Sequence, residues 1–185
     1  ACYRPKRYIG MRPILLLMLF NAALSFTACV TNSIEEVLAP AGVRERAVYY
    51  ARKYIELGAE YEWGGQDPLP KRVVVDCSGL VIRCYEYATQ DLGYFMLFSD
   101  TNSSGLKRYT KEISLNELTP GDILFMGERG IISHVALFVR IVDEYLVFID
   151  STNKPEEGIN GVSERKYRID DDRFLSFGRM LIGKL

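Results

Sequence analysis

The hydrophobic period of this chain changes part-way along it, and few architectures accommodate that change. Val43, Ala47, Ala51, Tyr54 and Ile55 recur at three- and four-residue intervals, which predicts an amphipathic helix ending near Gly58. Leu80, Val81, Cys84, Tyr85 and Ala88 repeat the pattern on a second helix, with Asp76 placed as its N-cap. From residue 122 onward the period becomes two. Strands are expected at 122–126, 133–141, 145–150 and 174–182, with Asp143-Glu144 as a tight hairpin turn. Helices followed by a run of antiparallel strands is the order of an α+β fold; a parallel α/β fold would alternate them. At 185 residues there is room for one domain and not comfortably for two. The connecting stretches read as a turn at Tyr61-Glu62-Trp63-Gly64-Gly65, a loop over 66–71, a Ser/Asn-rich surface loop bordering the site over 99–109, and another loop over 154–161.

The first 29 residues read as a targeting segment. Arg4, Lys6, Arg7 and Arg12 precede an apolar run from Ile14 to Phe20, and no acid lies among them. The run is shorter than the roughly 20 residues that span a bilayer, and it suits a signal peptide. Met11 suits a natural start, which would leave the first ten residues outside the native sequence. Phe26-Thr27-Ala28-Cys29 resembles a bacterial lipobox, in which Cys29 becomes the lipidated first residue; an ordinary signal peptide that happens to carry a cysteine is the alternative. Acyl chains on Cys29 would anchor the protein to a membrane without a transmembrane helix. The expected organisation is a signal segment over 1–29, a tether over 30–42 and one folded domain over 43–185, exported to the periplasm or cell surface.

Composition excludes several classes of function. Without the four N-terminal cations the chain holds 19 basic against 24 acidic residues, and this mildly acidic remainder has no basic stripe to bind nucleic acid. One histidine and no cysteine pair at ligand spacing argue against a metal site. No glycine-rich phosphate loop is present, and no cofactor is expected. Cys77 and Cys84 lie seven apart on one helix, about 10 Å along its axis, beyond the roughly 7 Å that a disulfide spans. Nothing in the sequence indicates an oligomeric state.

Cys77 is the candidate nucleophile. It would occupy the first turn of a helix, where free N–H groups and the helix dipole favour a thiolate. Most free cysteines are inert core residues, and Cys84, on the apolar face, fits that description. Cys77 instead lies among Asp76, Ser78 and Gly79, and Gly79 is expected to leave space beside the sulfur for a substrate backbone. A cysteine nucleophile needs a base, and His134 is the only imidazole. Strand parity puts His134, Ala136 and Phe138 on one face and Val135, Leu137 and Val139 on the other. Asp150, which breaks an apolar run on the neighbouring strand, is the candidate to orient the ring, although strand-end aspartates are also common turn residues. Tyr61 and Trp63, just before the paired glycines, are expected in the wall of the site; the alternative is that they are core aromatics.

Four blocks in order, Tyr61-x-Trp63-Gly64-Gly65, Asp76-Cys77-Ser78-Gly79-Leu80, Leu118-x-Pro120-Gly121-Asp122-Ile123-Leu124-Phe125 and Ser133-His134-Val135-Ala136-Leu137, resemble the NlpC/P60 family of cell-wall cysteine peptidases. The resemblance implies a papain-like α+β fold in which the cysteine-bearing helix packs on an antiparallel sheet that carries the histidine. It implies hydrolysis of peptidoglycan stem peptides, most often between γ-D-glutamate and a diamino acid, and it gives Tyr61, Asp76 and Ser78 a part in holding substrate. The family's third catalytic position is usually a second histidine, and this chain reads Phe148-Ile149-Asp150-Ser151-Thr152 there. A strict alignment on Ser151-Thr152 puts Ile149 in that place, leaving a bare Cys-His dyad. A shift of one residue puts Asp150 there, and an aliphatic side chain cannot orient an imidazole. Two other functions fit the same motifs: an N-acetylmuramoyl-L-alanine amidase, and a catalytically silent lipoprotein that binds wall peptides.

Overall fold

A computed structural model describes residues 34–70 and 73–184. The expected signal segment and Cys29, read as a lipobox cysteine, lie outside the described residues. The first helix, α1 (Ala41–Glu56), buries Val43, Ala47, Val48, Ala51 and Tyr54 along one stripe, as the spacing predicts. The second, α2 (Cys77–Leu92), begins at Asp76, whose side chain accepts from the Gly79 N–H, and ends at Gly93 in the left-handed conformation. Between them the chain turns at Trp63-Gly64, and Gln66 bridges antiparallel to Val75 just ahead of α2.

The rest of the chain is mostly sheet. The strands are β1 (Glu35–Leu38), β2 (Phe95–Met96), β3 (Thr110–Ile113), β4 (Ile123–Glu128), β5 (Ile131–Val142), β6 (Tyr145–Lys154), β7 (Ile159–Arg168) and β8 (Phe174–Lys184). The main order is β1-β8-β4-β5-β6-β7, all antiparallel, with β2 and β3 also pairing with β8. Parity along β5 holds. Val135, Leu137 and Val139 join the large core with the helices, while Ala136 and Phe138 join a smaller core on the opposite face with Leu124 and Phe148. Among the described residues no helix is long and apolar enough to cross a membrane.

Three expectations need correction. Residues 35–38, read as part of a tether, form β1 and pair with β8 from Glu35↔Lys184 to Leu38↔Leu181. The stretch 154–161, read as a loop, turns over a single 3-10 segment (Pro155–Glu157) and enters β7, which pairs with β6 over its whole length. The 99–109 stretch does border the site, but it folds into a short helix, α3 (Ser103–Leu106), that buries Ser103, Gly105 and Leu106. Its polar composition hid the burial because Asn102 caps the helix with its own side chain, accepting from the Gly105 N–H at 2.8 Å.

At Pro120-Gly121-Asp122 the two layers are tied together. Gly121 has φ of +88°, and a Cβ there would meet the Arg44 carbonyl oxygen at 2.4 Å, so only glycine fits. Asp122 is wholly buried and accepts from Arg179 Nε at 2.9 Å and Arg179 Nη2 at 2.8 Å, with Arg44 3.7 Å away. Tyr85 of α2 donates to the Gly121 carbonyl at 2.8 Å. One turn therefore joins α1, α2, β4 and β8, and it holds the helix that carries Cys77 against the sheet that carries His134.

Candidate active site

Cys77 opens α2, nearly buried at 8% exposure. Asp76 organises this corner. Its Oδ1 accepts from the Gly79 N–H at 2.6 Å and the Ser78 hydroxyl at 2.9 Å, and its Oδ2 accepts from the Gly64 N–H at 3.0 Å. The capping carboxylate thus ties the helix start to the turn that carries Trp63. Gly79 does not open space for a substrate. A Cβ there would meet the Gly65 carbonyl oxygen at 2.1 Å, so the glycine lets the helix start pack on that turn.

The Cys77 Sγ lies 3.2 Å from the Ser103 hydroxyl, a neighbour that sequence reasoning missed; the Ser/Asn-rich stretch marked the region but no single residue within it. A thiolate only accepts, so Ser103 would donate. Burial pushes the thiol up. Hydrogen bonding to His134, the charge of that ring, Ser103 and the Val135 N–H outweigh burial and bring the thiol below its ordinary value. Cys84, wholly buried among apolar groups, is pushed up by burial alone.

His134 lies on β5 with its side chain 23% exposed, and its Nε2 stands 2.6 Å from Asp150 Oδ2. An ionised carboxylate only accepts, so Nε2 carries the proton and Nδ1 is left for the sulfur. Burial pulls the imidazole down, but Asp150 and Cys77 lift it to about 9. Of the two residues weighed for the third position, Asp150 meets the ring, while Ile149 is buried in the core with the helices. Asp150 sits inside β6 and not at its end, wholly buried. Burial pushes its carboxyl up; His134 and Arg165 bring it below its ordinary range. Arg165 on β7 grips both oxygens: Nε donates to Oδ1 at 2.9 Å, and Nη2 donates to the Oδ2 that His134 also uses. Sequence reasoning missed Arg165 together with its strand.

Cys77 and His134 line a cleft of about 170 Å³ with Tyr61, Trp63, Asp76, Ser78, Asn102, Ser103 and Asn153 among its walls. Trp63 is 87% exposed, a rim residue and not a core aromatic. Burial, then the neighbouring Cys77 and Asp76, push the Tyr61 hydroxyl up. The described residues contain no group of three or more His, Cys, Asp and Glu that could hold a metal ion.

The family model described as the NlpC/P60 family matches residues 58–171, which span the turn, the helix start, β5, β6 and β7. The chain belongs to the NlpC/P60 family. It is 35% identical over 92 residues to Protein P54 of Enterococcus faecium, an alignment covering 49% of this chain and 16% of that relative's length. Among solved structures, it is similar to one described as similar to lipoprotein, NLP/P60 family, from Staphylococcus aureus subsp. aureus Mu50. The TM-score is 0.53 at 21% identity, over 79% of this chain and 44% of that one. The NlpC/p60 domain of the peptidoglycan hydrolase SagA aligns with TM-score 0.47 at 23% identity, over 74% of this chain and 97% of that one. The α+β fold expected from the order of elements is the fold of this family.

Proposed function

We propose that this NlpC/P60 protein is a cysteine endopeptidase that hydrolyses peptidoglycan stem peptides at the bond between γ-D-glutamate and a diamino acid. The observation that carries the reading is the line Cys77, His134, Asp150, with the carboxylate 2.6 Å from the ring and the thiol held below its ordinary value beside that ring. A silent binding protein has no use for a thiol activated in this way.

The Cys77 thiolate attacks the scissile carbonyl, and His134 protonates the leaving amine. Water then hydrolyses the thioester with the neutral ring as base. Asp76 already occupies the N–H groups of Gly79 and Leu80, so the N–H groups of Cys77 and Ser78 are assigned to the developing oxyanion, with the Tyr61 hydroxyl opposite. Tyr61, Asp76 and Ser78 hold the peptide, and Trp63 forms the rim of the cleft. Lipidated Cys29 anchors the exported enzyme to a membrane near its substrate.

The test is digestion of defined muropeptides followed by mass spectrometry. Wild type should release fragments cut after γ-D-glutamate. Cys77→Ala should lose at least about a thousandfold in rate, the scale of removing a nucleophile. Undiminished cleavage by Cys77→Ala would remove the assignment, and release of whole stem peptides from the glycan would replace it with the amidase reading.

A further inference from the structure

Asp150 is wholly buried, and a buried carboxylate stays ionised only when it is paired. His134 cannot serve as its constant counterion. Under the cysteine-peptidase reading the ring gives up its charge when it protonates the leaving amine, and it regains that charge when it activates water. During the neutral interval Asp150 would face an uncharged neighbour in a dry setting, where a carboxyl tends to take the proton itself.

Arg165 removes that difficulty. A guanidinium keeps its charge across the accessible pH range, and this one is nearly enclosed, with its side chain 8% exposed. It meets the carboxylate edge-on through two nitrogens, the arrangement that fixes orientation as well as charge. The fork is itself held in place. Its Nη1 donates to the Tyr167 hydroxyl at 2.6 Å, and its Cζ lies 5.5 Å from the Phe148 ring centroid and 5.2 Å from that of Tyr167. The other charged groups stand one layer out. Glu157 is 3.9 Å from Arg165 Nη1, Lys154 donates to the Tyr167 hydroxyl at 3.2 Å, and Arg173 lies 3.5 Å over the Tyr167 ring. Cys77 of α2 reaches Asp150 only through His134.

We propose that Arg165 is a positioning residue of the reaction: it holds Asp150 ionised and in one orientation through both charge states of His134, so that the ring can shed and regain its proton without Asp150 capturing it. The proposal rests on the reading of Cys77 and His134 as nucleophile and base.

The experiment compares wild type with Cys77→Ala, Asp150→Asn, Arg165→Gln, Arg165→Lys and the double variant Asp150→Asn/Arg165→Gln. Each is assayed for turnover of a γ-D-glutamyl–diaminopimelate stem peptide, for Cys77 alkylation by iodoacetamide across pH, and for thermal unfolding. Losing a neighbouring cation raises the proton affinity of Asp150, so activity that needs it ionised should disappear sooner as pH falls. Arg165→Gln should lower kcat about tenfold with KM little changed, and should move the acid limb of turnover and of alkylation up by about one pH unit. Arg165→Lys keeps the charge without the fork and should restore the acid limb but only part of kcat. In the Asp150→Asn background the Arg165→Gln change should cost nothing further in kcat, because Arg165 acts through Asp150. A purely structural arginine would cost the same in both backgrounds, and that result overturns the proposal, as does Arg165→Gln with wild-type kcat and an unmoved acid limb. If Arg165→Gln does not fold, Arg165→Lys with wild-type kcat overturns it equally. Cleavage by Cys77→Ala at the wild-type rate removes the underlying reading instead, and the alkylation profiles still decide whether Arg165 controls the thiolate.

Discussion

Cys77 and Cys84 share one helix and differ entirely in setting, which makes a direct comparison possible. Cys77 has an imidazole, a hydroxyl and a backbone N–H around its sulfur; Cys84 is buried by apolar groups. Iodoacetamide at about pH 6 should therefore modify Cys77 at least about tenfold faster than free cysteine, and leave Cys84 untouched until the protein unfolds. A Cys77 rate equal to that of free cysteine would mean the ion pair with His134 does not form at rest. Much of this site was legible in the sequence because its chemistry is scarce. One imidazole left no choice of base, and the Asp-Cys-Ser-Gly helix start left little choice of nucleophile. Gly79 was misread because a glycine beside a reactive group looks the same in sequence whether a ligand or the Gly65 backbone fills the space.

At the scale of elements, the strands that the sequence left unmarked are instructive. The two at the ends of the main sheet order, β1 and β7, went unseen, while the interior strands β4, β5, β6 and β8 were all expected. Edge strands keep one side open and carry charge, which guards against pairing with other chains and erases the hydrophobic alternation. In β7 the run Ser163-Glu164-Arg165-Lys166-Tyr167-Arg168 shows no hydrophobic alternation, yet it delivers Arg165 to the site. The short β2 and β3, pairing only with β8, offered too few residues to show a period. The Asp122 turn, by contrast, carries a clear signal in Pro120-Gly121-Asp122, and its energetic part follows from burial. Asp122→Ala would remove the buried carboxylate that pairs with Arg179 and stands 3.7 Å from the nearly buried Arg44. It should reduce stability by about 3–5 kcal/mol in urea unfolding, the usual result of breaking a buried ion pair from one side. A loss below about 1 kcal/mol would mean that water reaches these arginines and the turn is no tie between layers.

For the whole molecule, Cys77 and His134 each link stability to pH, and the two groups pull in opposite directions. His134 is raised from 6.5 to about 9, so its contribution is complete below 6.5 and is lost as pH rises through about 9. Cys77 is lowered from 9.0, so its contribution is complete above 9.0 and is lost as pH falls through its folded value. The unfolded pair between 6.5 and 9.0 is thiol and neutral imidazole and holds one proton, and a folded thiolate–imidazolium pair also holds one. Equal proton counts give no slope, so wherever the ion pair is formed inside that window it adds nothing to the pH dependence of wild-type stability. Cys77→Ala breaks the balance. The Asp150 hydrogen bond and charge still raise the ring, so wherever the folded variant keeps it charged, that variant binds one proton where the unfolded chain binds none. Its stability relative to wild type should fall as pH rises from 6.5 through the variant's folded imidazole value, by up to about 1.4 kcal/mol per pH unit. Urea unfolding of the two proteins side by side across this range measures the difference. Parallel curves would mean that the folded wild type keeps its thiol protonated there, and the nucleophile would then have to be activated by the substrate itself.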